Sequence, residues 1–371
     1  MRKKALISLS LAAGLALGVT AYPAVEQIAV RQGITAQAAT GTTTDGWKFS
    51  YDETHCEITG CTTDVRGEVT IPSAIEVNGN SLPVTVLAND FYYSGNSRDF
   101  ITSLTIPESV TTIESSVFWQ MENLESLDIQ AKVVILPTGM CRSCTNLEKV
   151  KLPDGIMEIG NYAFEGCTRL NSIKLPETLK KLGANCFQNC ESLEKISIPA
   201  KLTVIPGNAF AGCTGLKTVS IGDGVKTIED YAFSGCSVLD DVVLPKSVTQ
   251  FGANDFYNCL NLKSITVENP ECKIGFVEGT EKKPITIYGY DDSTAQTYCA
   301  AYGKNRHLEF KSIGEKPEPQ KDYGEFCDAN GDGKVDVVDA QLVLIYYVED
   351  IAGNKPSWYK ITGNPKAPDA P

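Results

Sequence analysis

Histidine is the scarcest potentially catalytic residue in this sequence: there are two, His55 and His307, and neither has another histidine near it in the chain. A catalytic Ser-His-Asp triad or a histidine-based metal centre is therefore not indicated. A glycosidase that uses two carboxylates stays formally open because Asp and Glu number 46, but no pair stands out. We predict that the protein is not an enzyme, with an enzyme of unfamiliar type as a distant alternative.

Basic residues are also in deficit, with 33 Lys and Arg against 46 Asp and Glu, a formal net charge of -13. A surplus of negative charge repels phosphate backbones, so nucleic acid is not expected as a partner. After residue 21 no apolar run is as long as the first one, and we expect no integral membrane segment in the mature chain. The C-terminal residues show no hydrophobic tail, so surface attachment is expected to need a partner.

The N-terminal residues are typical of a secretory signal. Met1-Arg2-Lys3-Lys4 is a positive segment, and the uncharged, small-residue run Ala5–Ala21 follows it. We assign residues 1–38 to a signal peptide with cleavage near Ala38. An uncleaved anchor is the alternative, although the apolar run is near the short end for a bilayer span. The predicted localisation is extracellular, either free or held at the cell surface through a scaffold.

A strict internal repeat organises the chain from Leu104 onward. In rows of 23 residues, an aliphatic residue occupies the same column of each row, and a second aliphatic column follows two residues later. This alternation predicts a short strand that buries every other residue. The first column contains Leu104, Leu127, Val150, Ile173, Ile196, Val219, Val242 and Ile265, and the second contains Ile106, Ile129, Leu152, Leu175, Ile198, Ile221, Leu244 and Val267.

Proline follows most of these strands. It has no N–H to donate to a strand ladder, so we expect it to end the strand and turn the chain toward a second apolar pair, such as Val110 and Ile113. The prolines in this column are Pro107, Pro153, Pro176, Pro199 and Pro245.

The remainder of each row predicts the interior of a coil. Residues 161–170 read Asn-Tyr-Ala-Phe-Glu-Gly-Cys-Thr-Arg-Leu, and the phenylalanine and the leucine recur in fixed columns. One such unit cannot bury its apolar side alone, but stacked units form a continuous core with strands about 4.8 Å apart. The phenylalanine column contains Phe118, Phe164, Phe187, Phe210, Phe233 and Phe256.

The pattern Ile-x-x-x-Ala-Phe-x-x-Cys-x-x-Leu at this period resembles the BspA-type leucine-rich repeats of bacterial surface and secreted proteins. The resemblance covers about residues 47–313 and implies an α/β repeat solenoid, right-handed and with short parallel strands. Because terminal units must close the core, we expect an N-terminal cap with a degenerate repeat at 39–103, the repeats at 104–270 and a C-terminal cap at 271–313. A strand, a helix and a strand are predicted in the C-terminal cap.

Six of the 13 cysteines lie in one repeat column, which indicates a structural column of buried thiols rather than a metal site. At a spacing of about 5 Å they could also approach disulfide geometry. Cys141 and Cys144 form a C-x-x-C pair, but they fall in the phenylalanine and cysteine columns and are read as core positions. Cys56 and Cys61 are the likeliest disulfide pair, and free thiols are equally compatible. The column contains Cys144, Cys167, Cys190, Cys213, Cys236 and Cys259.

Charged residues of both signs flank the predicted strands, which is typical of a solubilising surface. That face shows no aromatic row of the kind that stacks on sugar rings, so a protein of unknown identity is the favoured ligand. The flanking residues are Lys149, Lys151, Lys174, Lys195, Lys217, Lys263, Glu125, Glu148 and Glu194.

A separate motif follows a charged, proline-bearing stretch at 314–321, which predicts a linker. Residues 328–339 read Asp-Ala-Asn-Gly-Asp-Gly-Lys-Val-Asp-Val-Val-Asp and place side-chain oxygens at loop positions 1, 3, 5, 9 and 12, with Gly333 at the sharp turn. We predict a Ca²⁺ site, with a plain surface turn as the alternative. Its ligands are Asp328, Asn330, Asp332, the carbonyl of Lys334, Asp336 directly or through water, and Asp339.

No helix enters this loop, and position 12 is Asp339 rather than glutamate; in both respects the segment 322–350 resembles a dockerin. The resemblance implies a small helical calcium-binding module at 322–371 that docks onto a cohesin module of a scaffold protein. It also implies that Val337 and Val338 help to choose the cohesin.

The segment Ala340–Tyr347 is the predicted helix after the loop, and we assign Leu342 and Tyr346 on its apolar face to partner binding. Dockerins carry two loop-helix segments, whereas residues 352–371 show no second one. A truncated module, a diverged one, or a unit closed by Trp358 and Tyr359 are all compatible with this departure.

The main functional hypothesis is a secreted, non-catalytic solenoid for protein binding or adhesion. A calcium-dependent dockerin-like module would attach it to a cohesin-bearing scaffold of cellulosome type, in the context of polysaccharide degradation. The alternative is a free secreted adhesin in which the calcium loop is only structural.

Overall fold

A computed structural model describes residues 39–89, 91, 99–317, 342, 344, 345 and 347. They divide into two compact units. The first contains the described residues up to 289 together with 293–311, and the second contains 290–292 and the described residues from 312 onward. The predicted repeats and both predicted caps lie mainly in the first unit.

The N-terminal end is covered by a sheet with strand order β1-β2-β3-β6-β5. Strands β3 and β6 are parallel, and the other neighbouring pairs are antiparallel. Trp47, Ile58 and Val84 are buried beneath it. The sheet is joined to the repeats because β6 also pairs in parallel with the first-coil strand Thr112–Ile113. The bounds are β1 Ala39–Thr42, β2 Trp47–Tyr51, β3 Cys56–Cys61, β5 Ala74–Val77 and β6 Asn80–Leu87.

The predicted strands form the first ladder of the solenoid. Paired coils of the repeat region are parallel with an offset of 23 residues, as in Lys149 with Ser172 and Ile196 with Val219. The hydrogen-bonded pairing is interrupted between Ser172–Ile173 and Lys195–Ile198 and between Thr218–Ile221 and Asp241–Leu244. Side chains alternate between exposed and buried, so the aliphatic columns face the core as predicted. The strands are β4 Gly67–Thr70, β7 Ile101–Ile106, β9 Ser126–Ile129, β11 Lys149–Lys151, β13 Ser172–Ile173, β15 Lys195–Ile198, β17 Thr218–Ile221, β19 Asp241–Leu244 and β21 Ser264–Val267.

A second ladder follows the proline corner. The N–H of Val110 donates to the Pro107 carbonyl at 3.2 Å, so the proline begins a turn that brings the second apolar pair inward. The sequence predicted this pair but not its strand, because two residues are too few to show a period. The strands are β8 Thr112–Ile113, β10 Ile135–Leu136, β12 Glu158–Ile159, β14 Lys181–Leu182, β16 Val204–Ile205, β18 Thr227–Ile228 and β20 Gln250–Phe251.

The third side of each coil differs from the predicted α/β class. It consists of turns, and no α-helix occurs in the repeats between residues 99 and 267. The physical reason is that each coil has two left-handed residues four positions apart, such as Asn185 at φ 60° and Asn189 at φ 58°. Left-handed residues break a right-handed helix. The repeat region is therefore a β-solenoid.

A stack of phenylalanine rings fills the core, as the column predicted. From Phe164 to Phe256 successive ring centroids are 5.4 to 6.0 Å apart, and their planes differ by 3 to 6°. Phe118 is separated from this stack by Cys141, which occupies the same column, and it meets Phe91 edge-on at 5.7 Å. Stacked rings at these distances lie within the favourable range for aromatic pairs.

The predicted strand, helix and strand of the C-terminal cap are present as β22 Ile285–Gly289, α1 Thr294–Arg306 and β23 Leu308–Ser312. The Ser293 hydroxyl caps α1 by accepting the N–H of Gln296 at 3.3 Å. In the second unit, four positions of the predicted helix Ala340–Tyr347 are described, and these four, 342, 344, 345 and 347, are helical.

Candidate binding surfaces of the solenoid

The predicted calcium and partner residues lie almost entirely outside the described part of the chain. Leu342 is described, and it is helical and partly exposed. The signal peptide and its cleavage site are also outside it. Among the described residues, no three His, Cys, Asp or Glu side chains are grouped so that they could hold a metal ion. The residues outside are Asp328, Asn330, Asp332, Lys334, Asp336, Asp339, Val337, Val338 and Tyr346.

The outer face of the first ladder carries the mixed charges that the sequence predicts. Lys151 Nζ lies 3.3 Å from Asp128 Oδ2 one coil earlier, and Lys263 Nζ lies 3.2 Å from Asp240 Oδ2 in the same relation. These pairs are exposed, and each contributes about 0–1 kcal/mol to the free energy of unfolding. The face is therefore a charge-balanced, solvated surface and not a cluster of one sign.

The outer face of the second ladder contains an apolar patch. Val134, Ile135 and Met157 are 52%, 48% and 42% exposed, and the N–H of Met157 donates to the Val134 carbonyl at 2.8 Å, so the three are direct neighbours. Exposed apolar residues that occur singly are ordinary, whereas these three are adjacent and form a small apolar patch. We call these three residues the second-ladder patch. Sequence reasoning missed it because the neighbouring buried positions are equally apolar.

Aromatic residues gather on the third side. The guanidinium of Arg142 lies 6.0 Å from the centre of the Trp119 ring and 5.1 Å from that of Tyr162, so it bridges three successive coils. Its Nε is 2.6 Å from Glu165 Oε2. Cation–π contact and the ion pair together hold this arginine against the surface. Aromatic side chains are thus grouped on the turns of the third side, which the sequence analysis did not predict.

One buried acid was not anticipated. Asp255 is fully buried and occupies the column that holds Ala209 and Ala232 in earlier coils. Its carboxylate accepts the N–H of Gly252 at 2.7 Å and that of Ala232 at 3.2 Å. Burial raises the pKa of Asp255 to about 7, the two backbone hydrogen bonds lower it in part, and the charge of Asp230 adds to the increase. The sequence signal that could have identified Asp255 is an acidic residue at a position that holds alanine in the two preceding coils.

The cysteine column is made of free thiols. Cys144 Sγ donates to the Phe118 carbonyl at 3.0 Å, and the other five members make the same contact one coil later each time. Burial raises the pKa of Cys213 to about 12, so the thiol stays protonated. This confirms the buried-thiol interpretation over a disulfide ladder.

The suggested bridge between Cys56 and Cys61 is wrong. Both are buried, neither forms a disulfide, and they occupy the two ends of the same strand, β3. At about 3.3 Å of rise per residue, the strand holds them roughly 16 Å apart, whereas disulfide-bonded Cα atoms are about 4.4–6.8 Å apart.

No described helix has both the length and the apolar content that a membrane span requires. Among solved structures, the chain is similar to a leucine-rich repeat protein from Bacteroides ovatus, at 20% identity over 74% of this chain and 78% of that one, with a TM-score of 0.47. It is also similar to the leucine-rich repeat protein of T. pallidum, at 24% identity over 62% of this chain and 91% of that one, with a TM-score of 0.42.

A leucine-rich cell surface protein from Faecalibacterium prausnitzii matches at 17% identity over 66% of this chain and 96% of that one, with a TM-score of 0.28. No curated protein sequence gives a match. The family model described as "BspA type Leucine rich repeat region" matches residues 88–191 and 134–263, with six copies. The matched region 88–263 is thus similar to BspA-type leucine-rich repeats, and it holds most of the repeated columns, the parallel ladders and the stacked core.

Proposed function

We propose that this protein is a secreted, non-catalytic binding protein whose solenoid recognises a protein ligand through the second-ladder patch. The observation that carries the proposal is that three exposed apolar residues, Val134, Ile135 and Met157, are adjacent on the outer face of the second ladder. Thr111, Thr203 and Lys226 occupy the position of Val134 and Met157 in other coils. An apolar centre with a polar rim is the usual anatomy of a protein interface.

The neighbouring charge specifies the ligand further. Lys180 follows Met157 in the same column, and its N–H donates to the Met157 carbonyl at 2.8 Å. Its side chain is exposed beside the patch. A ligand with an apolar anchor and a nearby carboxylate would match both features.

A peptide library displayed on phage and selected on the intact protein tests this proposal. Binders should carry an apolar residue near an acidic one, and Val134→Asp should weaken them by about tenfold or more. Val243→Asp is the matched control, because Val243 is also an exposed valine, at 49%, but lies on the first ladder. Equal effects of the two substitutions, or a selection without binders, would reject the patch as the binding site.

We also propose that the C-terminal segment binds Ca²⁺ through the loop 328–339 and attaches the protein to a cohesin-bearing scaffold. Support comes from the sequence: oxygen-bearing residues occupy five loop positions and Gly333 the turn. Val337, Val338, Leu342 and Tyr346 would contact the cohesin.

A panel of purified cohesins, added to the intact protein in calcium or in chelator, separates the two modes of attachment. Calcium-dependent binding at submicromolar affinity would support a scaffold-bound role in a cellulosome-type assembly. Calcium binding without any cohesin partner would instead support the alternative, a free adhesin with a metal-stiffened tail.

A further inference from the structure

The third side of the solenoid is built from columns of peptide groups bonded head to tail. In the middle column, the N–H of Cys141 donates to the Ala163 carbonyl at 2.8 Å. That carbonyl shares a peptide group with the N–H of Phe164, which donates to the Cys186 carbonyl of the next coil at 2.8 Å. The pattern continues to Phe233, whose N–H donates to the Asp255 carbonyl at 3.1 Å. Each peptide group therefore points its N–H toward the C-terminal end.

Two further columns run in the same direction on either side. The donors are Ser116, Gly139, Tyr162, Asn185, Asn208 and Tyr231 in one, Phe118, Cys141, Phe164, Phe187, Phe210 and Phe233 in the middle, and Gln120, Ser143, Gly166, Asn189, Gly212 and Gly235 in the other. A peptide group has a dipole of about 3.5 D, and aligned dipoles add as they do in a helix. Strand dipoles in a regular sheet alternate and largely cancel.

The columns end at an open row of donors. The next members would be the N–H groups of Asn254, Phe256 and Asn258, and no acceptor for them lies among the described residues. The reason is that the chain keeps the repeat register only as far as Lys273, which pairs with Gln250. Residues 276–283 then line a groove beside Phe256 and Asn258 and accept none of these N–H groups. We call these three N–H groups the donor edge.

A groove lies between the donor edge and the cap residues that follow it in the chain. It has a volume of about 330 Å³ and is lined by Phe256, Asn258, Leu260, Phe276 and Lys283, among others. Leu260 is 65% exposed. Lys283 Nζ is bonded to two uncharged acceptors, the Leu260 carbonyl and Asn261 Oδ1, each at 3.2 Å, so no carboxylate neutralises it there. Glu278 also lines the groove and provides its negative charge.

We propose that the donor edge binds the backbone of a partner protein through a row of carbonyl groups. This inference rests on the proposed protein-binding function and adds a second contact to it. The partner is a segment with the third-side conformation, in which every second carbonyl points to the same edge, as those of Asn161, Ala163 and Glu165 do. A regular strand does not fit, because one edge of it offers N–H and C=O groups in turn, and its N–H groups would oppose those of the donor edge.

The conformation required also indicates the partner's sequence. The two left-handed residues of each third-side segment are four positions apart, and they are most often Asn or Gly, as at Asn208 and Gly212. These residue types adopt left-handed backbone at low cost. The interior coils of a second copy cannot supply the segment, because their peptide groups are bonded on both sides. The partner that we propose is a different chain with an Asn-x-x-x-Gly type segment.

The probe is a capped synthetic peptide with the sequence of residues 206–213, with serine in place of the cysteine to prevent oxidation. It is titrated into intact ¹⁵N-labelled protein, with a scrambled peptide of the same composition as the control. We expect saturable shifts confined to the amides of Asn254, Phe256 and Asn258 and their neighbours. Absence of these shifts at millimolar peptide overturns the proposal.

A matched pair of variants locates the site. Asn258→Asp places a carboxylate on the donor edge, where it repels carbonyl oxygens, and it should weaken peptide binding by about tenfold. Asn189→Asp adds the same charge at the equivalent left-handed position of an interior coil, where the N–H already donates to Ala211 at 2.7 Å, and should leave binding unchanged. Equal weakening would overturn the proposal. Phage-selected ligands that bind the second-ladder patch remain unaffected in either case, so failure here leaves the proposed function standing.

Discussion

The thiol of Cys190 donates a hydrogen bond to the backbone carbonyl of Phe164 in the preceding coil, at 3.3 Å. The same carbonyl accepts the N–H of Cys167 at 3.2 Å. A single side chain thus links two coils while it fills space beside the phenylalanine stack. This explains why cysteine, a small apolar residue with a weak donor, recurs at this point of the repeat.

Cys190→Ala should therefore lower the free energy of unfolding by about 1–2 kcal/mol, because it leaves a small cavity and removes the donor. Urea unfolding followed by far-UV circular dichroism measures the change. Thr214→Ala, at an exposed position, is the control and should stay within about 0.5 kcal/mol of the parent protein. An unchanged stability of Cys190→Ala would show that the thiol does not join the coils.

The raised pKa of Asp255 predicts a dependence of stability on pH. The pKa is about 7 in the folded protein against 3.8 for the free side chain, so the folded state binds the proton more tightly. The contribution of Asp255 to the free energy of unfolding is fully present below about pH 4. It is lost as the pH rises through 7, by up to about 1.4 kcal/mol per pH unit.

Asp255→Asn removes the titrating group and keeps an oxygen acceptor for one of the two buried N–H groups. The other N–H faces the new amide NH2, which lowers the stability of the variant by an amount that does not change with pH. The difference in unfolding free energy between Asp255→Asn and the parent should grow in favour of the variant from pH 4 to pH 8. Because other titrating groups cancel in this difference, a constant value over the range would contradict the assignment.

Because glycines on the third side have left-handed backbone, replacing one with a residue that has a Cβ should lower the free energy of unfolding. Gly166 has φ 72°, and a Cβ on it would meet neighbouring atoms only at 3.5 Å or more, so Gly166→Ala tests the backbone alone. We expect the free energy of unfolding to fall by about 1–2 kcal/mol. Gly155→Ala is the control, because Gly155 has open space around its Cβ position and no left-handed φ. Equal effects in thermal unfolding would refute the conformational explanation.

The predicted calcium loop can be separated from the solenoid by mutation. Asp328→Ala combined with Asp332→Ala should abolish calcium binding in calorimetric titration, because two carboxylate ligands are lost. The far-UV spectrum of the protein should stay intact. Loss of the whole spectrum would show instead that the loop and the repeats do not fold as separate modules.

The solenoid is the part of the structure that local sequence determines most directly. Every coil repeats the same contacts, so an aliphatic column such as that of Ile196 and Val219 identifies the strand, its buried face and its 23-residue register at once. Phe187 and its equivalents identify the core in the same way. The third side was predicted less well, because left-handed turns leave only the Asn and Gly residues as a signal.

The sequence by itself determined the repeat, the buried columns and the strand, helix and strand of the C-terminal cap. Only the tertiary structure decided that Val134 and Met157 face solvent, that Asp255 is enclosed, and that three columns of N–H groups end at the donor edge. The physical reason is that periodicity reports which side of an element faces the core. Exposure at one position, burial of one acid and the direction of a peptide group depend on neighbours a full coil away, which a local pattern does not record.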